Sequence, residues 1–219
     1  MQQKLRLVGI FGGTFNPIHF GHLRMAQELA DGLGMDEVKF IPSANPPHKD
    51  SVTVSAEHRA AMVEIAIADN PLFTLDQCEL EREGASYTID TLINLRHALG
   101  KETALCLMMG SDAFVNLNTW HRWHELLDYA HIILVQRPNP TQPQAQLNEE
   151  LQTLMHDHYT EQVSDLSNKS AGLINMQTIS AHDISATNIR SLLKNSQSVR
   201  YLLPSEVAEY IQQHQLYQP

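Results

Sequence analysis

Residues Ala104-Leu105-Cys106-Leu107-Met108-Met109 are apolar without a break. A strand with one wet face alternates apolar and polar side chains, so this run predicts a strand covered on both faces. His131-Ile132-Ile133-Leu134-Val135 predicts another. Strands of that kind belong to parallel sheets, whose crossover connections are usually helices. The rest of the chain supplies both parts. Short strands are predicted at 5–10, 38–41 and 73–75, and a weaker last one at 174–179. Helical spacing runs through Leu23, Ala26, Leu29, Ala30 and Leu33 and stops at Gly34. Ser55 reads as the N-cap of a helix reaching Asp69, with Met62, Ile65 and Ala66 on one face. A third helix spans 88–99 and stops at Gly100, and two short ones lie near 186–195 and 204–214. Residues 138–170 are polar and read as a surface excursion with one modest helix. The expectation is an α/β, doubly wound, mostly parallel sheet with a small C-terminal helical segment: one domain over 1–219, with 186–219 as a helical subregion.

At 219 residues and 42% hydrophobic content the chain can build a sizeable core, and 18% charged residues argue against disorder. No apolar run approaches the roughly 18 residues a membrane span needs. Met1-Gln2-Gln3-Lys4-Leu5-Arg6 lacks signal-peptide anatomy. Cys78 and Cys106, both in apolar surroundings, read as free thiols of a reducing, cytoplasmic compartment. Fifteen Lys and Arg against 25 Asp and Glu give a net charge of −10, which disfavours nucleic acid as a partner. Small anions remain accessible through helix N-termini, turn amides and a few placed cations. Monomer and homo-oligomer are both left open.

In parallel sheets ligands bind beyond the carboxyl ends of strands. The first strand runs into Gly12-Gly13-Thr14-Phe15-Asn16-Pro17-Ile18-His19-Phe20-Gly21-His22. Paired glycines let a backbone approach a ligand closely. A helix is predicted to start at Gly21 or His22, so His19 and His22 straddle its positive end and could donate to phosphate oxygens. Taken alone, the glycines also fit an ordinary turn, and the histidines a surface pair. A zinc site would need a third ligand that the neighbouring sequence does not supply. The loop matches neither Gly-x-Gly-x-x-Gly nor a P-loop ending.

Gly-Gly-Thr-Phe-Asn-Pro-Ile-His-x-Gly-His resembles the signature of the HxGH nucleotidyltransferase superfamily. Ile184-Ser185-Ala186-Thr187-Asn188-Ile189-Arg190 resembles its ISxTxxR segment, although the two lie at opposite ends of the predicted sheet. Pro46-Pro47-His48-Lys49, Ser86-Tyr87-Thr88, Gly110-Ser111-Asp112 and Thr119-Trp120 narrow the likeness to bacterial nicotinate-nucleotide adenylyltransferases. The resemblance is weakest over 140–172. It implies a Rossmann-like nucleotidyltransferase fold in which ATP and nicotinate mononucleotide give deamido-NAD and pyrophosphate. It also implies Mg²⁺, held mainly by ATP phosphates and water, since the sequence shows no dedicated carboxylate cage and no protein metal ligand is assigned.

The attacking phosphate oxygen is already anionic, so this chemistry needs alignment and charge neutralisation rather than a side-chain nucleophile. Under that reading His19, His22 and Arg190 are catalytic. Gly12, Gly13, Thr14, Phe15, Gly110, Asp112, Ser185 and Thr187 bind ATP, with Ser185 and Thr187 capping the helix that carries Arg190. Asp112 accepts from a ribose hydroxyl or simply N-caps a short helix. Tyr87 and Thr88 open the helix ending at Leu99, and free amides there favour a carboxylate over a carboxamide. Trp120 stacks on the pyridine ring or is a half-buried core residue. His48, Lys49 and Arg137 are candidates for the acceptor phosphate. His121 and His124 receive no metal. Alternatives are another acceptor, such as nicotinamide mononucleotide or phosphopantetheine, a non-catalytic nucleotide-binding module, and an NAD-dependent oxidoreductase.

Overall fold

The computed structural model describes residues 4–45, 54–136, 147–180 and 183–218. Strands β1 (Arg6–Gly13), β2 (Glu37–Pro42), β3 (Phe73–Leu75), β4 (Thr103–Gly110), β5 (His131–Gln136) and β6 (Ile174–Thr178) form one sheet in the order β3-β2-β1-β4-β5-β6. All of its strands run parallel, where the sequence led us to expect mostly parallel ones. The order turns back at β1 and β4, and glycine stands at the carboxyl end of each: Gly13 on β1 and Gly110 on β4. Seven of the eight β4 residues are buried, as the apolar run required.

Helices α1 (Phe20–Leu33), α2 (Ala56–Ile67) and α3 (Thr88–Leu99) follow the first three strands. The Ser55 side chain accepts from the His58 amide and starts α2. Gly100 ends α3 at φ 70°, a conformation that glycine takes without a Cβ clash. The short α4 (Ser111–Phe114) and α5 (Leu126–Tyr129) lie between β4 and β5, α6 (Glu149–His158) and α7 (Val163–Leu166) before β6, and α8 (Ala186–Lys194) and α9 (Ser205–Gln213) close the chain. Among the described residues no helix is long and apolar enough to cross a membrane.

The chain packs as two compact units. The first comprises Met1–Phe11, Glu28–Val38 and Tyr87–Ala181; the second comprises Gly12–Gln27, Lys39–Ser86 and His182–Pro219. In the first, Val8, Ala30, Leu92, Leu105, Ile133 and Ile174 are buried. The Arg96 guanidinium donates to the carbonyls of Gly100, Thr103, Tyr129 and Ser170 at 2.6–2.8 Å, tying three connections to α3. The segment expected to be a surface excursion carries two helices in its described part, and Leu151 and Leu166 are fully buried. The Leu5 amide donates to Ser167 O at 2.8 Å, so this segment is built into the unit. Its few apolar residues are spaced too widely to show a period. In the second unit Phe40 packs against Phe73 with ring centroids 5.1 Å apart, and Ile18, Met62, Val63, Ile189 and Val207 are buried.

Candidate active site

The second unit holds the HxGH loop. β1 runs three residues beyond its predicted end, through Gly12 and Gly13. A side chain on Gly12 would meet no protein atom within 4 Å, so the space beside it is open. A Cβ on Gly13 would press on the Phe15 ring at 3.1 Å. Phe15 is 2% exposed and stands edge-on to His22, with centroids 5.2 Å apart. Its side chain therefore braces the histidine from inside the fold, where the sequence assigned Phe15 to ATP.

α1 starts at Phe20, earlier than predicted, and the His19 carbonyl accepts from the amides of His22 and Leu23. The two imidazoles stack with centroids 3.7 Å apart and planes 22° from parallel. The His19 amide donates to His22 Nδ1 at 3.3 Å. An acceptor at Nδ1 puts the proton of the neutral ring on Nε2, which makes Nε2 the donor to a ligand. Gly21 explains the middle of the motif: a Cβ there would lie 3.0 Å from His19 Nδ1 and 3.4 Å from Ile184 O. Gly21→Ala is expected to lower kcat about tenfold by displacing the His19 ring, while helix propensity offsets the crowding by up to about 1 kcal/mol. Turnover measured beside a melting curve checks this: activity falls and the melting temperature holds.

Arg190 belongs to the same unit. It stands one turn into α8, whose N-cap is Ser185, with Ser185 Oγ accepting from the Asn188 amide at 3.2 Å. Thr187, expected to share the capping, instead accepts at Oγ1 from Arg190 Nη2 at 3.2 Å. Arg190 Nη1 donates to Asn16 O at 2.8 Å, across 174 residues of sequence. The fold thus brings the two motifs together on Asn16, although the sequence places them at opposite ends of the predicted sheet.

Sequence reasoning missed what the loop rests on. Arg59 is 1% exposed, and its guanidinium donates to Thr14 O at 2.8 Å and to Val54 O and Ala44 O at 3.3 Å. Burial pushes its pKa down from the usual arginine value. The charge is held by three backbone carbonyls, which leave no mark in a sequence. Tyr217 Oη donates to Asn16 Oδ1 at 2.6 Å.

The first unit carries the other candidates. Gly110, not Asp112, is the N-cap residue of α4. Asp112 is exposed and folds back over Gly110, where a Cβ would collide with its Oδ1. Trp123 is the core tryptophan at 9% exposure, stacked with His124 at 3.9 Å, and Trp120 stays half-buried. Tyr87 precedes Thr88 at the start of α3, and no side chain caps that helix end. The His121 ring lies 4.3 Å from the Tyr87 ring, and Arg122 Nη1 is 3.7 Å from Asp90 Oδ1. Those contacts hold the Trp120 segment to the first turn of α3. His121, given no role from sequence, is therefore a neighbour of the candidate pyridine site.

His48, Lys49 and Arg137 lie outside the described residues. Among the described residues no group of three or more His, Cys, Asp and Glu is placed to hold a metal ion. Cys106 is buried and Cys78 half-buried; both thiols are free, and burial pushes both up to about 12. Cys78 also lies beside Asp76 and Glu79, so its surroundings are more acidic than expected.

A parallel sheet whose first loop carries stacked histidines and accepts a guanidinium from α8 is the arrangement of a nucleotidyltransferase, and the cytidylyltransferase-like family model matches residues 10–192. A protein of Aeromonas hydrophila named "Probable nicotinate-nucleotide adenylyltransferase" is 47% identical over 214 residues, covering 97% of each chain. A like-named protein of Acidithiobacillus ferrooxidans is 44% identical over 209 residues, covering 95% of this chain and 94% of its own. The Plasmodium falciparum nicotinic acid mononucleotide adenylyltransferase solved with NaAD superposes with a TM-score of 0.71 at 16% identity over 97% of each chain, a likeness of fold. The chain belongs to the nicotinate-nucleotide adenylyltransferase family.

Proposed function

We infer that this chain transfers the adenylyl group of ATP to nicotinate mononucleotide, giving deamido-NAD and pyrophosphate. The observation that carries the reading is the meeting of His19, His22 and Arg190 around one short loop, with Arg190 bonded to Asn16. A phosphate oxygen of the mononucleotide attacks the α-phosphorus of ATP. A new P–O bond forms as the α–β bridging bond breaks, and pyrophosphate leaves. No side chain has to take a proton. His22 Nε2–H donates to the charge that grows around the α-phosphorus, and His19 supports it from the stacked position. Arg190 grips the departing β- and γ-phosphates with the N–H groups that Asn16 and Thr187 leave over, with Ser185 and Thr187 at the same helix start. Gly12, Gly13 and Thr14 give the phosphates a path free of side-chain bulk.

Asp112, standing over Gly110, takes the ribose hydroxyl in this reading. Trp120 offers its plane to the pyridine, and the uncapped start of α3 at Tyr87 and Thr88 takes the carboxylate. His48, Lys49 and Arg137 remain candidates for the acceptor phosphate. Mg²⁺ fits as a companion of ATP, because imidazoles and a guanidinium suit phosphate oxygens and ATP brings its own oxygen ligands for the ion. When bound it neutralises phosphate charge. The proposal includes one nucleotidyltransferase domain over 1–219 with a helical subregion at 186–219, and a reducing, cytoplasmic setting for the two free thiols.

The test is pyrophosphate release with each acceptor in turn. Nicotinate mononucleotide is expected to exceed the amide nucleotide by at least tenfold in kcat/KM, because a helix terminus contributes about 0.3–2 kcal/mol toward the charged group and direct amide bonds add to it. Equal or better use of the amide would refute the role given to α3, and release only with phosphopantetheine would refute the acceptor class.

A further inference from the structure

The loop 14–16 is clamped from two sides by residues far from it in sequence. Arg59, 45 residues away, holds Thr14 O. Tyr217, 201 residues away, holds Asn16 Oδ1, while the carbonyl of the same Asn16 receives Arg190 Nη1. We propose that Tyr217 is a positioning residue for ATP: its hydroxyl fixes Asn16, and Asn16 in turn sets the direction of the Arg190 guanidinium.

The local chain is shaped for this contact. After α9 the Leu216 amide bonds back to Ile211 O and the Gln215 amide to Gln212 O. Gln215 and Tyr217 both take positive φ, 52° and 61°, the left-handed region that disfavours a side chain. Gln215 is the left-handed residue that ends α9 through those two bonds; Tyr217 has no helix end to account for its φ, and the short Tyr217–Asn16 hydrogen bond is the contact that holds it. α9 is itself anchored, because Tyr210 Oη lies 2.9 Å from His58 Nδ1 on α2 and the His58 ring lies 5.1 Å from the His214 ring. Burial pushes the Tyr217 phenol up, so it stays a donor at neutral pH, and Arg190 and Arg59 pull the other way as the cations that face it. Asn16 therefore works as a relay: its side chain is held by the chain's end and its backbone carbonyl holds the phosphate-gripping arginine.

The proposal rests on Arg190 binding ATP phosphates, and the experiment separates the two claims. Tyr217→Phe removes one hydroxyl and keeps the ring. ATP binding by calorimetry, and the KM for each substrate, are measured for the wild type, Y217F, R190A and the double variant. Y217F is expected to weaken ATP binding about threefold to tenfold, the usual range for one lost hydrogen bond. The KM for nicotinate mononucleotide and the melting temperature are expected to hold. In the R190A background the same change is expected to alter ATP binding less than about twofold, because the residue it acts through is gone. An unchanged ATP affinity in Y217F, an equal loss in both backgrounds, or a parallel weakening of both substrates with a lower melting temperature would each overturn the proposal. Failure of the wild type to bind ATP would overturn the functional reading itself, visibly before any variant is compared, and Tyr217's role with it.

Discussion

His22→Ala is expected to lower kcat by about 10²–10³-fold, the effect of removing one oriented donor from a site where charge develops. The residue is half-buried, and its Nδ1 accepts from the His19 amide at 3.3 Å. Losing that bond and the stack on His19 costs about 1 kcal/mol of stability, so the variant folds. The KM values are expected to move less than kcat, because the donation strengthens as the α-phosphorus passes through its transition state. Asparagine at the same position keeps an N–H donor on a shorter side chain and is expected to recover part of the loss. Turnover of H22A within about threefold of wild type would remove His22 from the chemistry.

Arg190 predicts a different pattern. Arg190→Ala is expected to lower kcat/KM for ATP by about 10²–10³-fold, with both KM and kcat affected, because β- and γ-phosphates are gripped before and during the reaction. Arg190→Lys separates charge from geometry. The guanidinium spends one N–H on Asn16 O at 2.8 Å and one on Thr187 Oγ1 at 3.2 Å and still has planar N–H groups for a phosphate. A lysine ammonium cannot stay on Asn16 and present a fork as well. R190K is therefore expected to lie within about tenfold of R190A. Near-wild-type ATP kinetics in R190K would mean that a positive charge alone suffices, and would remove the oriented grip from the account. The melting temperature of each variant shows whether the lost Asn16 contact, and not catalysis, is responsible.

What could be read from the residues follows from where each signal lives. The double-faced strand β4, the Ser55 cap and the Gly100 stop are local patterns, and the fold shows them at the expected positions. The end of β1 was misjudged because Gly12 and Gly13 carry no side chain and so no periodicity. The buried part of 147–170 was misjudged for the opposite reason: Leu151 and Leu166 are anchors too far apart to make a pattern. The histidines are three residues apart and visible in any reading of the chain. Arg190 is legible only through the ISxTxxR resemblance, and its bond to Asn16 O is not; Arg59 is hidden because it bonds to backbone carbonyls, which every residue has, and Tyr217 because it reaches Asn16 over 201 positions. Phe15, proposed from its place beside the glycines to contact ATP, turns its side chain inward at 2% exposure, which leaves its backbone for that role. Trp120 and Trp123 show the limit of motif reading: three residues apart, one is half-buried and the other belongs to the core.

The central claim is that one polyphosphate is shared by the HxGH loop and the arginine of α8. A crystal structure with ATP or an unreactive analogue bound measures it directly. The account predicts His22 Nε2 within about 3.2 Å of an α-phosphate oxygen and the Arg190 guanidinium within the same reach of a β- or γ-oxygen of that molecule, with Asn16 O still bonded to Arg190. Phosphates lodged elsewhere, or touching one of the two residues while the other faces solvent, would contradict it.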